Sequence, residues 1–439
     1  MIVPVQTDAL RAEALHECHD CGLFQSIGAL RPGQVAECDR CGAVLRRRRR
    51  NSLSTTFALA LAGLVLMAVA AAWPLVHIRL TGQERETSLL HLPVAFEDVN
   101  MPFLSLVVLA TTLIAPVLRL LLTLGVIGGL RTNLSHTALV AMARLRAIVG
   151  PWAMVEVFML GLFVAYTRLQ AIAHVEPGVA LYAMGGLMLL MAWADAWVDE
   201  HAMWEAIARR GPPLEPTRRG TPIGCDACGL VNRGRPGDAC QRCGTPLRHR
   251  KPQSFARSWA LLLTAAILYI PANLYPVLTV IRLGKGAPST IMGGVVELIE
   301  YRMWPLAALV FVASILVPMM KLLGLSLLLI MAQRRSRSHL YDRTRLYRVV
   351  DFIGRWSMID VFMAAVLTAL VRMGLLASVT PGYGAVAFAM VVILTMLSAI
   401  TFDPRIMWDN AAANAVAETA ENAAIPSETP EPAAKAIPV

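Results

Sequence analysis

Eight cysteines fall into four C-x-x-C pairs: CHDC at 18–21 with CDRC at 38–41, and CDAC at 225–228 with CQRC at 240–243. Sixteen residues separate the two pairs of the first set and eleven those of the second, and glycine follows every pair (Gly22, Gly42, Gly229, Gly244). Two such pairs supply four thiolates, the donor set of a tetrahedral ion, and the glycine relieves the tight turn that aims backbone amides at the sulfurs. Cys18, Cys21, Cys38 and Cys41 form one expected site, and Cys225, Cys228, Cys240 and Cys243 the other. Zinc is the expected metal, with iron in a rubredoxin-like centre the lesser choice. Four protein ligands leave no open position, so each site is expected to be structural. Disulfides or a redox-active pair fit poorly with pairs that come matched and that charge patterning assigns to a reducing compartment. A full thiolate set leaves His16 and His19 no vacancy, and both are expected at the surface.

A second set of reactive residue types lies in apolar surroundings. The segment RWSMIDVFMAAVLTALV, 355–371, carries Asp360, and SILVPMMKL, 314–322, carries Ser314 and Lys321. An ionisable group in a span costs about 2.5–3.5 kcal/mol on insertion scales, so each needs a partner or a wet cavity. Ser314 and Lys321 are two helical turns apart and share a face, with Pro318 between them to bend the helix and free a carbonyl. Lys321 and Asp360 are expected to meet inside the bundle, where the pair would either tie helices together or titrate. The alternative places Asp360 at the interface, pairing with loop arginines such as Arg355, about 7.5 Å away along the helix.

The elements that must carry these groups are spans. Of 439 residues, 56% are hydrophobic and 16% charged, and the mean hydropathy is +0.56. Stretches near 53–76, 103–130, 150–170, 178–198, 257–280, 304–331, 353–376 and 382–401 each approach the roughly 20 apolar residues that cross a bilayer. The polar, cysteine-bearing first fifty residues do not resemble a cleavable signal peptide. The net charge of +10 does not mark a nucleic-acid binder, because the cations flank the spans. Arg46 to Arg50, Arg131, Arg144, Arg146, Arg248, Arg250, Lys251 and the cluster Arg334 to Arg348 all fall on one side, whereas 79–102, 171–178 and 281–302 carry the acids Glu84, Glu86, Glu97, Asp98, Glu176, Glu297 and Glu300. The positive-inside rule then puts both termini in the cytoplasm. Trp73, Trp152, Trp304 and Trp356 read as an interfacial belt, and GGVVELIEY at 293–301 as a short amphipathic helix on the outer surface. His77, His91 and His174 lack the pairing that haem ligation needs, and no nucleotide-binding or hydrolase motif is present.

Self-comparison divides the chain. GPWAMVEVF at 150–158 parallels GRWSMIDVF at 354–362, and MWE at 203–205 parallels MWD at 407–409, an offset of 204 residues from Glu156 to Asp360. WPLV at 73–76 parallels YPVL at 275–278, and TLIAPVLRL at 112–120 parallels SILVPMMKL, an offset of 202 from Pro74 to Pro276. Four spans per half is an even number, so the repeats are parallel. The expected fold is an α-helical polytopic membrane protein with two parallel four-helix repeats, each preceded by a small cytoplasmic zinc ribbon. The expected division is a ribbon at 1–50, a bundle at 51–208, a Pro/Gly/Arg linker at 209–224, a second ribbon at 225–250, a second bundle at 251–410 and a disordered tail at 411–439. The second half carries Ser314, Lys321, Asp360 and Thr395, and the first carries the weaker counterparts Thr112, Arg119 and Glu156, with Met191 in place of the threonine.

Paired ribbons, the repeat, NLYPVL at 273–278, SILVPMMK, RWSMIDVF and FDPRIMWD at 402–409 together resemble the paraquat-inducible protein A (PqiA) family over nearly the whole chain. The first half departs from these motifs at Pro151, Glu156 and Arg119. The resemblance implies a non-enzymatic subunit in the inner membrane of a Gram-negative bacterium, acting with a periplasmic MCE-domain protein that forms a lipid tunnel. It implies passage of phospholipid or similar lipids between the membranes and maintenance of the envelope barrier. By motif position it implies a transport polar network of Ser314, Lys321, Asp360 and Thr395, a candidate proton route. The chain has no ATPase motif, so any energy input would come from an ion gradient or a separate subunit. Two other classes remain: a scaffold that anchors the MCE protein while lipid moves passively, and a proton-coupled small-molecule transporter.

Overall fold

A computed structural model describes residues 15–80, 83–170, 174–214, 220–282, 285–334, 338–370 and 377–413. The first fourteen residues and most of the tail expected at 411–439 lie outside the described residues. Each half opens on a ribbon of short antiparallel hairpins. In the first, β1 (Leu15–Glu17) pairs with β2 (Phe24–Ser26) and β3 (Val35–Glu37) with β4 (Val44–Arg47).

Eight helices are long and apolar enough to cross a membrane, and the chain is a multi-pass membrane protein. In the first half these are α1 (Ser52–Ala72), α3 (Pro102–Arg131), a third span covering α4 (His136–Val149) and α5 (Val155–Gln170), and α6 (Val179–Trp197). The short helices α2 (His91–Glu97) and α7 (Glu200–Ala208) flank them. The second half repeats the plan with α8 (Ser254–Leu274), α9 (Ile291–Glu300), α10 (Trp304–Gln333), α11 (Leu340–Gly354), α12 (Ile359–Leu370) and α13 (Tyr383–Thr401). The stretch 293–301 does form a helix, α9, which buries Ile291, Val295 and Leu298 and leaves Met292 and Val296 exposed.

The first span of each half is shorter than its apolar stretch. Pro74 and Pro276 cannot continue a helix, and Trp73 and Tyr275 before them are extended, as a residue preceding proline prefers. The apolar residues that follow form strands instead. In the first half β5 (Pro74–Leu80) lies between β6 (Gln83–Ser88) and β7 (His174–Pro177). The second ribbon holds β8 (Thr221–Gly224), which falls within the segment read as linker, paired with β9 (Val231–Gly234). In the second half β10 (Leu278–Arg282) lies between β11 (Lys285–Ser289) and β12 (Ala377–Pro381). The connections at 79–102 and 281–302 are thus small antiparallel sheets and helices at the end of the molecule opposite the ribbons.

Matched devices hold each half together. The Ser52 hydroxyl donates to the Trp197 carbonyl at 3.0 Å and accepts from the Asp199 amide at 2.9 Å. Ser254 does the same with Thr401 at 3.0 Å and Asp403 at 2.9 Å, so that the first and fourth spans are pinned at the ribbon end. In α3 and α10 one turn widens to a π turn, Ala110–Ile114 and Val312–Leu316. Pro116 offers no N–H to the Thr112 carbonyl and Pro318 none to that of Ser314, and the ring crowds that carbonyl, which accounts for the widening.

The halves are unequal in burial. In the apolar window of the seventh span 88% of residues are buried, against 39% in the third, so α12 is the centre of the molecule. It crosses α5, where Phe158 and Phe362 meet edge to face at 5.7 Å. A side chain on Gly161 would meet Phe362 Cβ at 2.9 Å and the Ile359 carbonyl at 3.0 Å, so glycine sets this close approach.

The ribbons are exchanged. The first, which precedes the first bundle in sequence, packs its four cysteines among Leu325, Leu328, Leu329, Val350, Phe402 and Trp408 of the second. The second packs its cysteines among Val126, Leu139, Ala143, Met203, Trp204 and Ile207 of the first. Equivalent arginines make the contact: Arg348 donates to the Cys41 carbonyl at 3.0 Å, and Arg144 donates to the Cys243 carbonyl.

Gly382 and Gly178 enter the fourth spans under strand carbonyls, where a Cβ would lie 2.1 Å from Pro276 O and 2.2 Å from Pro74 O. Gly382→Ala is expected to lower stability by about 1–3 kcal/mol through overpacking. Gly185→Ala, whose nearest new neighbour would be 4.0 Å away, is expected to leave it unchanged. Thermal unfolding of the purified protein in detergent reads both.

Candidate functional site

Lys321 lies on α10, five residues beyond the π turn, and is 1% exposed. Its ammonium group meets three neutral oxygens. It donates to Thr395 Oγ1 at 2.7 Å, to the Gly354 carbonyl at 3.2 Å and to Ser357 Oγ at 3.5 Å. The two hydroxyls spend their own protons on main-chain carbonyls, Thr395 on Val392 at 2.9 Å and Ser357 on Gly354 at 2.8 Å. Their lone pairs are therefore left for Lys321, and the three N–H donors of the ammonium group are matched. A Cβ on Gly354 would approach Lys321 Cε at 3.4 Å, so this turn closes directly over the lysine.

The expected Lys321–Asp360 pair does not form: among the described residues Lys321 makes no ion pair, and its three contacts are those above. Asp360 is buried at the second position of α12, the central helix, and lines a small crevice with Phe96, Leu104, Val277, Ala364 and Phe388. The reason is the 3-10 turn Arg355–Met358, which brings Ser357 and the Gly354 carbonyl to the lysine and carries the next helix past it. Ser314 is fully buried in its π turn, and that turn packs on both the 355–358 turn and α12. Among the described residues the Ser314 hydroxyl has no hydrogen-bond partner. The structure therefore brings Lys321 and Thr395 together, adds Ser357 and Gly354, and sets Ser314 and Asp360 on adjoining turns. Ser357 stood in the quoted RWSM motif and carried a signal; a main-chain carbonyl carries none.

The first half builds a different site at the same place. Arg119 forms an ion pair with Asp195 on α6, one turn beyond Met191, the residue equivalent to Thr395. Arg146 bonds Thr123 Oγ1 at 3.2 Å and Glu200 at 3.3 Å. Thr112 donates to the Val108 carbonyl at 2.7 Å inside its own helix, and Glu156 is half-buried. Here Arg119 and Arg146 each have a carboxylate, whereas among the described residues Lys321 has none. Asp195 was visible as the only acid in AWADAW, but the position aligned to Thr395 drew attention to Met191 instead.

Two buried four-cysteine clusters could each hold a metal ion. The closest sulfur pairs are 3.5 Å apart for Cys18–Cys41, Cys21–Cys38 and Cys225–Cys243, and 3.6 Å for Cys228–Cys240. These are too long for disulfides, which need about 2.05 Å, and near the edge of about 3.8 Å in a tetrahedron with metal–sulfur bonds of about 2.3 Å. The glycines after each pair take left-handed backbone angles, φ +71 at Gly22 and Gly229 and +66 at Gly42 and Gly244. Each amide there donates to the carbonyl of the first cysteine of its pair, closing the knuckle. His19 is exposed, but His16 is not the surface residue its sequence context suggested: its ring packs on that of His201 at 5.1 Å. Burial holds the His201 imidazole below its usual value, and its Nε2 donates to the Leu45 carbonyl at 3.0 Å.

Arg405, in the FDPR motif, ties the two ribbons to the bundle end. It binds Asp403 at 2.9 Å, Glu17 of the first ribbon at 3.2 Å and Asp226 of the second at 3.0 Å. Burial alone would raise the Asp403 carboxyl, but the bonds from Arg405 and the Lys251 amide outweigh it and hold it below the usual carboxylate range. That bonding favours the charged carboxylate at the junction.

Thr395→Val keeps the shape of the side chain and removes the shortest acceptor of Lys321. It is expected to destabilise the protein by about 1–3 kcal/mol, the cost of an unmet buried donor, whereas Thr395→Ser stays close to the parent. Thermal unfolding at neutral pH distinguishes them.

Comparison with known proteins bears on what such a chain does. The family described as Paraquat-inducible protein A matches residues 53–208 and 255–412. Intermembrane transport protein PqiA of Escherichia coli (strain K12) is 34% identical over 397 residues, covering 89% of this chain and 95% of the relative. Lipophilic envelope-spanning tunnel protein A of the same strain is 30% identical over 398 residues, covering 89% and 90%. A probable intermembrane transport protein of Haemophilus influenzae is 26% identical over 400 residues, covering 89% and 94%. No solved structure matches. With both four-span halves matched and relatives aligned over 89% of the chain, it belongs to the paraquat-inducible protein A family.

Proposed function

We propose that this protein is the inner-membrane subunit of an intermembrane lipid-transport system, and that the second bundle contains its working site. The observation that carries the reading is Lys321: a buried amine held by three neutral oxygens beside a π turn, in a chain whose relatives are named intermembrane transport proteins. A purely structural tie would be served better by the ion pair that the first half uses. In this reading Lys321, Thr395 and Ser357 form the inner end of a polar route through the second bundle, and Ser314 and Asp360 line its continuation. The cargo is phospholipid or a similar lipid, passed to a periplasmic tunnel of the MCE type. The cations flanking the spans support an orientation with ribbons and termini in the cytoplasm and the two small sheets facing the partner.

The cysteine centres are assigned to zinc, which four thiolates at these spacings favour, and to a folding role, since no coordination position is left open. Elemental analysis of the purified chain is expected to give two zinc ions per molecule. Cys38→Ser is expected to lose one of them, and a chain with no bound metal contradicts the assignment.

The transport reading is tested with Lys321→Ala in reconstituted membranes that also hold the MCE partner. The expected result is at least a tenfold drop in lipid transfer with metal content and partner co-purification unchanged. Undiminished transfer would leave the chain a scaffold, and proton-linked uptake of a small solute without the partner would make it a different kind of transporter.

A further inference from the structure

The first ribbon touches the second bundle through Arg348 on α11, and the end of that same helix touches Lys321. Arg348 Nε donates to Asp20 Oδ2 at 2.6 Å, and its Nη2 donates to the Cys41 carbonyl at 3.0 Å and to Cys41 Sγ at 3.4 Å. Six residues further on, about 9 Å along the helix, the Gly354 carbonyl accepts from Lys321 at 3.2 Å. Val350 lies between, buried, and a Cβ on Gly324 of α10 would meet its Cγ2 at 3.0 Å, so α11 has little room to slide on α10. An N–H donor to a cysteine sulfur is strongest when that sulfur is a thiolate, which is its state as a metal ligand.

We infer that Arg348 is a positioning residue: it couples the loaded first cysteine centre to the Lys321 site by fixing the height of α11. When Cys41 is a metal-bound thiolate, Arg348 grips it and Asp20 together, and the helix end presents the Gly354 carbonyl and Ser357 to the lysine. Losing the metal removes the thiolate acceptor and frees the knuckle that holds Asp20 and the Cys41 carbonyl in place, and the 354–358 turn is released. The first half supplies the control. Arg144 donates to the Cys243 carbonyl, but Arg119 answers to Asp195 on α6 and not to the end of α4. Among the described residues, the helix that carries the ribbon-binding arginine also bonds the cation of the 119/321 position in the second half alone.

The inference rests on the reading of Lys321 as the working site, but its primary test does not. Hydrogen exchange is followed over residues 352–360 in the full-length protein, alongside metal content, for Arg348→Ala, Arg348→Lys and Arg144→Ala. Arg348→Ala is expected to keep two metal ions and to speed exchange at 354–358 at least tenfold. Arg348→Lys, which can still pair with Asp20, is expected to recover part of the protection, and Arg144→Ala to match the parent in this segment. Stripping metal from the parent protein with a chelator should reproduce the Arg348→Ala pattern. If Arg348→Ala does not fold, Asp20→Asn cuts the same tie from the ribbon side and carries the same expectation. Exchange within twofold of the parent in Arg348→Ala, or equal acceleration in Arg144→Ala, overturns the inference. Loosening in Arg348→Ala together with normal lipid transfer by Lys321→Ala would leave the coupling intact and overturn the transport reading instead.

Discussion

An amine in hydrocarbon must be met by oxygen atoms, and the second half of this protein is arranged to supply them to Lys321 without a carboxylate. Each acceptor comes from a different piece of chain: Thr395 from the last span, Gly354 and Ser357 from the turn that breaks the seventh. That turn in turn requires α11 to end where it does, and the π turn before Pro318 sets how α10 faces it. The burial of one side chain thus constrains three spans. The first half solves the same problem with Arg119 and Asp195.

The duplication explains both the likeness and the difference. Serine pins, π turns, glycine entries and arginine seats recur at fixed offsets in the two halves. What diverges is the set of residues that face the intramembrane cation. The exchange of ribbons gives the two halves a shared dependence, because each bundle is seated on the cysteine centre that the other half's chain segment begins with. Arg405 gathers acids from both ribbons at the point where they meet. An intact pair of ribbons is therefore part of the fold of the membrane region, and not an appended module.

Much of this was legible in the sequence because it depends on local pattern. The cysteine pairs, the glycines that follow them and the eight apolar stretches need no long-range information, and the offset between GPWAMVEVF and GRWSMIDVF shows the repeat directly. The small sheets were hidden because PLVHIRL is apolar enough to read as the end of a span, and only Pro74 hinted otherwise. The Lys321 site was half visible. Thr395 stood out as a hydroxyl in an apolar helix, but an acid one span away drew the lysine's pairing towards Asp360. The true acceptors include a main-chain carbonyl, which every residue has and which no side chain announces. Ribbon exchange was not legible at all, since it follows from packing between segments some three hundred residues apart, such as Cys41 and Arg348.

The central claim is that the two intramembrane cations have different duties. Lipid transfer measured side by side for Arg119→Met and Lys321→Met, at matched expression and partner content, tests it most directly. The account predicts that loss of Arg119 lowers stability while leaving transfer within about threefold of the parent, and that loss of Lys321 stops transfer. Equal loss from both substitutions, or a greater loss from Arg119→Met, would contradict it.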